Sequence, residues 1–337
     1  MIGHDSDKTY KAAVIGAGSG GLTMAIGLSN FGHDVVLIEG DKIGGDCTNV
    51  GCIPSKALLH AAEARIEDPL AWVRNRRDGL AAHEDVEMEE HERIHLVRGW
   101  AQLTTPSGPD HVVRVSGPDG RVDVRAEHVI ISSGSQPIEI PIEGLSSERT
   151  LTNENIFEMD AVPDSIVLVG GGVISLEMAT AFLDLGSAVH IVELADRLIG
   201  MEDPLVSTTI EAALRDRGAV VHTSTSIERF DESTQTSHLT NGDIIAAIDK
   251  VFIGVGRRPH VSDMSLEAAG VEVIRSGIVA DDWGRTSVDG IYAVGDVTGN
   301  TATTHGANSI ARRTIRAIAL PLPKVGAPRA LPSAVYS

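Results

Sequence analysis

The sequence predicts an α/β fold: two parallel-sheet units, each organised around a glycine turn, with a small antiparallel sheet. Two observations carry this. The order strand, glycine turn, helix occurs twice, at residues 12–15, 16–21 and 22–28 and again from 165–169 into 170–175. Each copy is followed by a strand that ends on an acid, 34–38 before Glu39 and 188–192 before Glu193. The spacing from first glycine to acid is 39 − 16 = 23 residues in one copy and 193 − 170 = 23 in the other, so the pattern is a duplication.

The strand runs Ala12-Ala13-Val14-Ile15 and Ser165-Ile166-Val167-Leu168-Val169 are apolar almost throughout, as strands covered on both faces must be. Gly16 allows the tight turn after the first, Gly18 lets the backbone approach a pyrophosphate, and Gly21 permits close packing of helix on strand. The phosphate then sits at the helix N-terminus. Gly170 and Gly172 repeat the first two roles, and Ser175 stands where a third Gly or Ala is usual. These are two Rossmann-like dinucleotide-binding domains. Glu39 and Glu193 each offer a carboxylate to an adenosine ribose. At Glu193 that carboxylate pairs with a free 2′-hydroxyl and repels a 2′-phosphate, so NADH is expected over NADPH. Between the copies, residues 94–98, 111–115 and 121–125 alternate with a period of two, the last two joined by the turn sequence Gly117-Pro118-Asp119-Gly120. They read as an antiparallel sheet crossing one face of the first domain. Expected boundaries are 1–152 for the first domain, 153–280 for the second, 281–320 for a return to the first, and 321–337 for the start of another.

A chain of 337 residues with 42% hydrophobic content can bury more than one core. Its formal net charge of −19 argues against nonspecific binding to nucleic acid or anionic membranes. Glu84, Asp85, Glu87, Glu89, Glu90 and Glu92 concentrate part of that charge and read as a solvated helix face. No apolar run is long enough to cross a bilayer and the first residues lack signal-peptide character, so a cytoplasmic, reducing location is expected.

The only two cysteines, Cys47 and Cys52, lie in Gly44-Gly45-Asp46-Cys47-Thr48-Asn49-Val50-Gly51-Cys52-Ile53-Pro54-Ser55-Lys56. A bridge needs Cα atoms within about 7 Å, which residues five apart on a regular helix do not offer, so this stretch is expected to be irregular. Pro54 suits the first position of a helix running to about Ile66, placing Cys52 at a helix N-terminus, where dipole and free N–H groups favour a thiolate. Other readings are two unrelated buried cysteines, a structural bridge, or half of a zinc site. Zinc lacks a second cysteine pair, and no metal is expected. Clustered cysteines in a cytosolic chain favour redox chemistry.

Taken in order, these motifs resemble the class I flavoprotein disulfide reductases, the group of dihydrolipoamide dehydrogenase, mercuric reductase and soluble transhydrogenase. The resemblance covers almost the whole chain and is most specific over residues 44–56. Ser133-Gly134-Ser135-Gln136-Pro137, Gly254-Val255-Gly256-Arg257-Arg258-Pro259 and Ile291-Tyr292-Ala293-Val294-Gly295-Asp296 support it. It implies that the first unit binds FAD and the second NAD(P)H. It also implies that Cys47 is the substrate-facing thiol, Cys52 the thiol beside the flavin, and Lys56 with Glu177 an ion pair near the flavin. Asp296 is implied on the flavin ribitol or its linked phosphate, Thr304 on the flavin through its backbone, and Ala101, Gly134, Ile227 and Gly256 among the nucleotide-binding positions. His305 is a candidate acid or base, with a structural role the stronger reading.

The implied activity is a disulfide oxidoreductase passing electrons between NADH and a small or protein-bound disulfide or dithiol through a Cys47–Cys52 disulfide. Mercuric reductase, transhydrogenase or diaphorase chemistry is the enzymatic alternative, and a non-catalytic two-nucleotide fragment the alternative of another class. Residues 321–323 and 330–337 resemble the linker and opening strand of the family's C-terminal interface domain. The sequence stops there, so truncation is expected. A homodimer is implied for the longer form and a monomer for this chain, with the family's acid/base histidine unassigned.

Overall fold

The computed structural model describes residues 8–105, 108–118, 120–299, 303–320, 331–332 and 334–336. It divides the chain into two compact units. Unit 1 comprises Met1–Asn49, Gly79–Gln136 and Arg258–Pro332; unit 2 comprises Val50–Asp78, Pro137–Arg257 and Ser333–Ser337.

In unit 1 a seven-stranded sheet runs in the order Ile94–Arg98, Val35–Glu39, Thr9–Ile15, Gly120–Ile131, His111–Gly117, Trp100–Leu103, with Ile291–Ala293 also paired to Gly120–Ile131. The strands Thr9–Ile15 and Val35–Glu39 are parallel, with Ala12 opposite Val35. Helix Ser19–Asn30 packs on helix Thr304–Ala319, where Gly27 makes room for Ile315. The core between them holds Ala12, Val14, Met24, Leu28, Leu37 and Ile130.

Antiparallel pairing is present as expected, joining Trp100–Leu103, His111–Gly117 and Gly120–Ile131, but the strands expected to form it are corrected here. Residues Ile94–Arg98 lie parallel to Val35–Glu39 as an edge of the main sheet. The strand expected at 121–125 is twelve residues long, Gly120–Ile131. It pairs antiparallel with His111–Gly117 and parallel with Thr9–Ile15, so one strand serves both arrangements. Periodicity alone hides this, because the last residues, Val129-Ile130-Ile131, are buried on both faces and stop alternating. Asp119, in the expected turn, lies outside the described residues.

Unit 2 is a five-stranded sheet in the order Val220–His222, Ala188–Val192, Ser165–Val169, Lys250–Ile253, Thr150–Leu151. Its core joins Ile166, Leu168, Leu176 and Phe182 with Leu58, Leu70 and Val73. That packing explains why residues 50–78 belong to this unit although they fall within the first domain of the sequence reading. Return to unit 1 comes at Arg258, not 281, and Thr150–Leu151 is a strand of unit 2. A three-stranded antiparallel sheet, Ile227–Asp231, Thr236–Leu239 and Ile244–Ile245, had no counterpart in the sequence reading.

Helix Pro69–Glu90 carries most of the acidic run, and the run is not uniformly solvated. Met88 is buried, and Glu84 one turn before it turns inward to the Thr48 hydroxyl. Asp85 pairs with Arg98 at 2.8 Å. Residues 321–330, with the expected linker, lie outside the described residues, as does Ala302. Among the described residues no helix is long and apolar enough to cross a membrane.

Candidate functional site

The two glycine loops repeat one another in backbone detail. Gly16 and Gly170 both have φ +97°, a conformation that side chains disfavour, and in both a Cβ would strike the carbonyl ending a neighbouring strand, that of Ser132 or Gly254. Gly18 and Gly172 are the N-caps of twelve-residue helices, Ser19–Asn30 and Val173–Asp184. A Cβ on Gly18 would meet nothing nearer than Gly45 Cα at 3.9 Å, and one on Gly172 nothing nearer than Gly254 O at 4.0 Å. Each helix therefore starts with open space above a bare backbone, the cradle a phosphate fits. Gly21 has no room for a side chain against Gly16 O.

The acids are clamped to these loops in the same way. Glu39 Oε2 accepts from the Ala17 N–H at 2.6 Å and Oε1 from Asp41 at 2.8 Å. Glu193 Oε2 accepts from the Gly171 N–H and Oε1 from Ala195 at 2.7 Å. Burial raises the Glu39 carboxyl above its ordinary value, and the N–H groups of Ala17 and Asp41 oppose that rise. Beside Glu39 opens a cleft of about 600 Å³ lined by Gly40, Asp41, Asp85, Arg98, Trp100 and Ser116. Trp100 is 61% exposed, and no periodicity in the sequence marked it as a cleft wall.

Around the cysteines the chain forms two helices, Gly45–Asn49 and Cys52–Glu63, broken at Val50 and Gly51. The expected irregularity is this break. The second helix starts at Cys52, two residues before Pro54, because proline is tolerated throughout a first turn whose N–H groups have no partner within the helix. Gly51 is its N-cap. Both cysteines are half-buried.

One turn into that helix stands one of the ion pairs of unit 2, that of Lys56 with Glu177. Lys56 Nζ donates to both oxygens of Glu177 at 2.8 Å, and the Ser55 hydroxyl reaches Glu177 Oε2 at 3.1 Å and Cys52 O at 3.4 Å. Glu177 is 2% exposed on helix Val173–Asp184, where an unpaired carboxylate would be strongly unfavourable. The Tyr336 ring lies 5.0 Å from Lys56 Nζ. Sequence reading named Lys56 and Glu177 and missed Ser55. The residue sits inside the Pro54-Ser55-Lys56 run, but its partner is over a hundred positions away.

The other positions named from the sequence have the following places in the fold. In unit 1, Asp296 opens a short 3₁₀ turn and accepts from the Ser135 hydroxyl at 2.7 Å, next to Gly134 with φ +72° and free space around it. Ala101 is buried in strand Trp100–Leu103. Thr304 begins helix Thr304–Ala319, N-capped by Thr303, whose hydroxyl accepts from Gly306 N at 3.2 Å. His305 is exposed and touches the Thr303 hydroxyl at 3.3 Å. In unit 2, Ile227 begins the strand paired to Thr236–Leu239, and Gly256 has φ +130° with its carbonyl bonded to Ile138 N. Among the described residues no cluster of three or more His, Cys, Asp or Glu could hold a metal ion.

A sequence profile described as pyridine nucleotide-disulphide oxidoreductase matches residues 10–311. The dihydrolipoyl dehydrogenase of Bacillus subtilis (strain 168) is 33% identical over 317 residues, 88% of this chain and 68% of that one. The mercuric reductase of Streptomyces lividans is 34% identical over 315 residues, 86% of this chain and 65% of its own length. The solved structure of the HOCl-induced flavoprotein disulfide reductase RclA from Escherichia coli superimposes with a TM-score of 0.85 at 29% identity, covering 94% of this chain and 73% of that one.

Proposed function

Because the chain belongs to the pyridine nucleotide-disulphide oxidoreductase family, FAD-dependent enzymes that use NAD(P)H, we propose that it passes electrons between NADH and a disulfide or dithiol substrate through Cys47 and Cys52. The observation that carries this reading is the helix opened by Cys52, which brings Lys56 into the grip of the buried Glu177.

The residues present fit both nucleotides. Gly16, Gly18, Gly21 and Glu39 would hold the ADP half of FAD, with Gly134 and Asp296 toward its ribitol and Thr304 near the ring. Gly170, Gly172 and Glu193 would hold NADH, with Ile227 and Gly256 alongside. When bound, FAD supplies the two-electron relay between nicotinamide and disulfide.

The protein's own groups do the rest. Cys52, at the head of a twelve-residue helix, has its thiolate favoured by the N-terminal N–H groups. Cys47, five residues before it, is the thiol that exchanges with substrate. Lys56 places a positive charge that Glu177 and Ser55 hold in position, and Glu177 offsets the desolvation of that ammonium.

Anaerobic titration with NADH tests this reading. A long-wavelength thiolate-to-flavin absorbance that survives Cys47→Ser and disappears in Cys52→Ser supports it. Identical spectra and equal disulfide turnover in both variants overturn it.

A further inference from the structure

Within unit 1 the Glu84 carboxyl meets the helix that carries Cys47, and neither the nucleotide loops nor the Lys56–Glu177 ion pair involves it. Its Oε1 accepts from the Thr48 hydroxyl at 3.3 Å. Its Oε2 is shut off from solvent with no hydrogen-bond partner among the described residues. The backbone on the far side is Gly44, at φ +86°, where any Cβ would collide with both Glu84 Oε2 and the Thr48 side chain. Gly44, Thr48 and Glu84 therefore form a close-packed triangle, with the long helix Pro69–Glu90 on one side and the five-residue helix Gly45–Asn49 on the other. A helix so short has little stability of its own. Asn49 ties it down locally through bonds from Nδ2 to Ile43 O and Gly45 O, each 2.9 Å. Glu84 supplies a side-chain bond from a distant element.

We propose that Glu84 is a positioning residue for Cys47, anchoring the short cysteine helix through Thr48. A buried carboxyl oxygen without a donor disfavours the anion strongly. Burial accordingly raises the Glu84 carboxyl above its ordinary value; the Thr48 hydroxyl opposes the rise, Glu87 and Asp85 add to it, and His83 lowers it.

The inference rests on Cys47 being the substrate-facing thiol. Its test reads that thiol directly, so it can fail separately from any turnover assay. The FAD-loaded, reduced 337-residue chain is treated with iodoacetamide between pH 6 and 9, and labelling of Cys47 and Cys52 is followed peptide by peptide. Glu84→Gln, which can still accept from Thr48, should label Cys47 within about twofold of wild type at every pH. Glu84→Ala should label Cys47 roughly five- to tenfold faster, the change that loss of one hydrogen bond of ordinary strength allows. Cys52, in the same samples, should label at the wild-type rate, which general destabilisation would not leave unchanged. Unaltered Cys47 labelling in Glu84→Ala, or an equal acceleration at Cys52, overturns the positioning role. Cys47 labelling in Glu84→Gln accelerated as much as in Glu84→Ala also overturns it, because the amide oxygen can still accept from Thr48.

Discussion

Lys56 and Glu177 form a two-pronged contact, both carboxylate oxygens 2.8 Å from one ammonium, with only the acid buried. The Glu177 side chain is 3% exposed and that of Lys56 37%. The two partners are therefore unequal when removed. Lys56→Met leaves a buried carboxylate with the Ser55 hydroxyl as its remaining side-chain donor, whereas Glu177→Gln leaves an ammonium that water can reach.

Lys56→Met should thus destabilise the protein more than Glu177→Gln, by about 1–2 kcal/mol after allowing for solvent screening on the lysine side. Urea unfolding of the two variants measures the difference. Equal losses would show that the carboxylate is not the costly partner.

Among the described residues the buried Ser175 hydroxyl, pressed on Gly254, has no hydrogen-bond partner. In the other unit the equivalent pair is reversed: Gly21 faces Ser132, whose hydroxyl donates to Ile15 O and Gly16 O at 2.9 Å. Serine is satisfied on the strand side and stranded on the helix side. Ser175→Ala should raise stability by about 1 kcal/mol, seen as a higher thermal midpoint with an unchanged affinity for NADH. A lower midpoint would mean that the hydroxyl has a partner in solution.

His190 and His222 stack with ring centroids 5.9 Å apart, and Asp243 lies 3.6 Å from His222 Nδ1. Burial, and secondarily the neighbouring His222, lowers the His190 imidazole below its ordinary value of about 6.5. The native state then binds this proton less readily than the unfolded chain. The resulting stability is fully present above pH 6.5 and is lost as pH falls below it. His128, lowered chiefly by burial, acts in the same direction. His190→Phe should flatten part of the decline between pH 7 and 5 in denaturant midpoints; a decline as steep as wild type would remove His190 from the account.

How much of this could be read from residues alone follows the range of each signal. The strands Ser165–Val169 and Ala188–Val192 were legible to the residue, since an apolar run, a glycine turn and a terminal acid are local features. Glu39 and Glu193 were found by spacing, but not that each is bonded back to the loop N–H beside the first glycine. Gly120–Ile131 was read only over its alternating start. Ser55 and Glu84 were invisible in their roles, because Glu177 is 122 residues from one and Thr48 is 36 from the other. A charge run seen from sequence shows its sign, not which member turns inward.

The proposed preference for NADH has a direct check. Glu193→Ala should narrow the ratio of flavin reduction rates with NADH and NADPH by about tenfold, through relief of repulsion at the 2′-position. Stopped-flow reduction with each nucleotide measures it, and an unchanged ratio would move the discrimination elsewhere.

The clamp on Glu193 also bears on how such a change must be made. With Oε1 on Ala195 and Oε2 on Gly171, the side chain is immobilised before any nucleotide arrives, so ligand binding need not freeze its rotamers. The same rigidity denies it an escape route: faced with a 2′-phosphate, the carboxylate cannot swing aside without leaving two backbone N–H groups unbonded. Tolerance for the phosphorylated nucleotide is therefore not reachable by loosening the neighbourhood. It requires taking away the carboxylate, and a neutral acceptor in its place would restore the bonds that Gly171 and Ala195 lose.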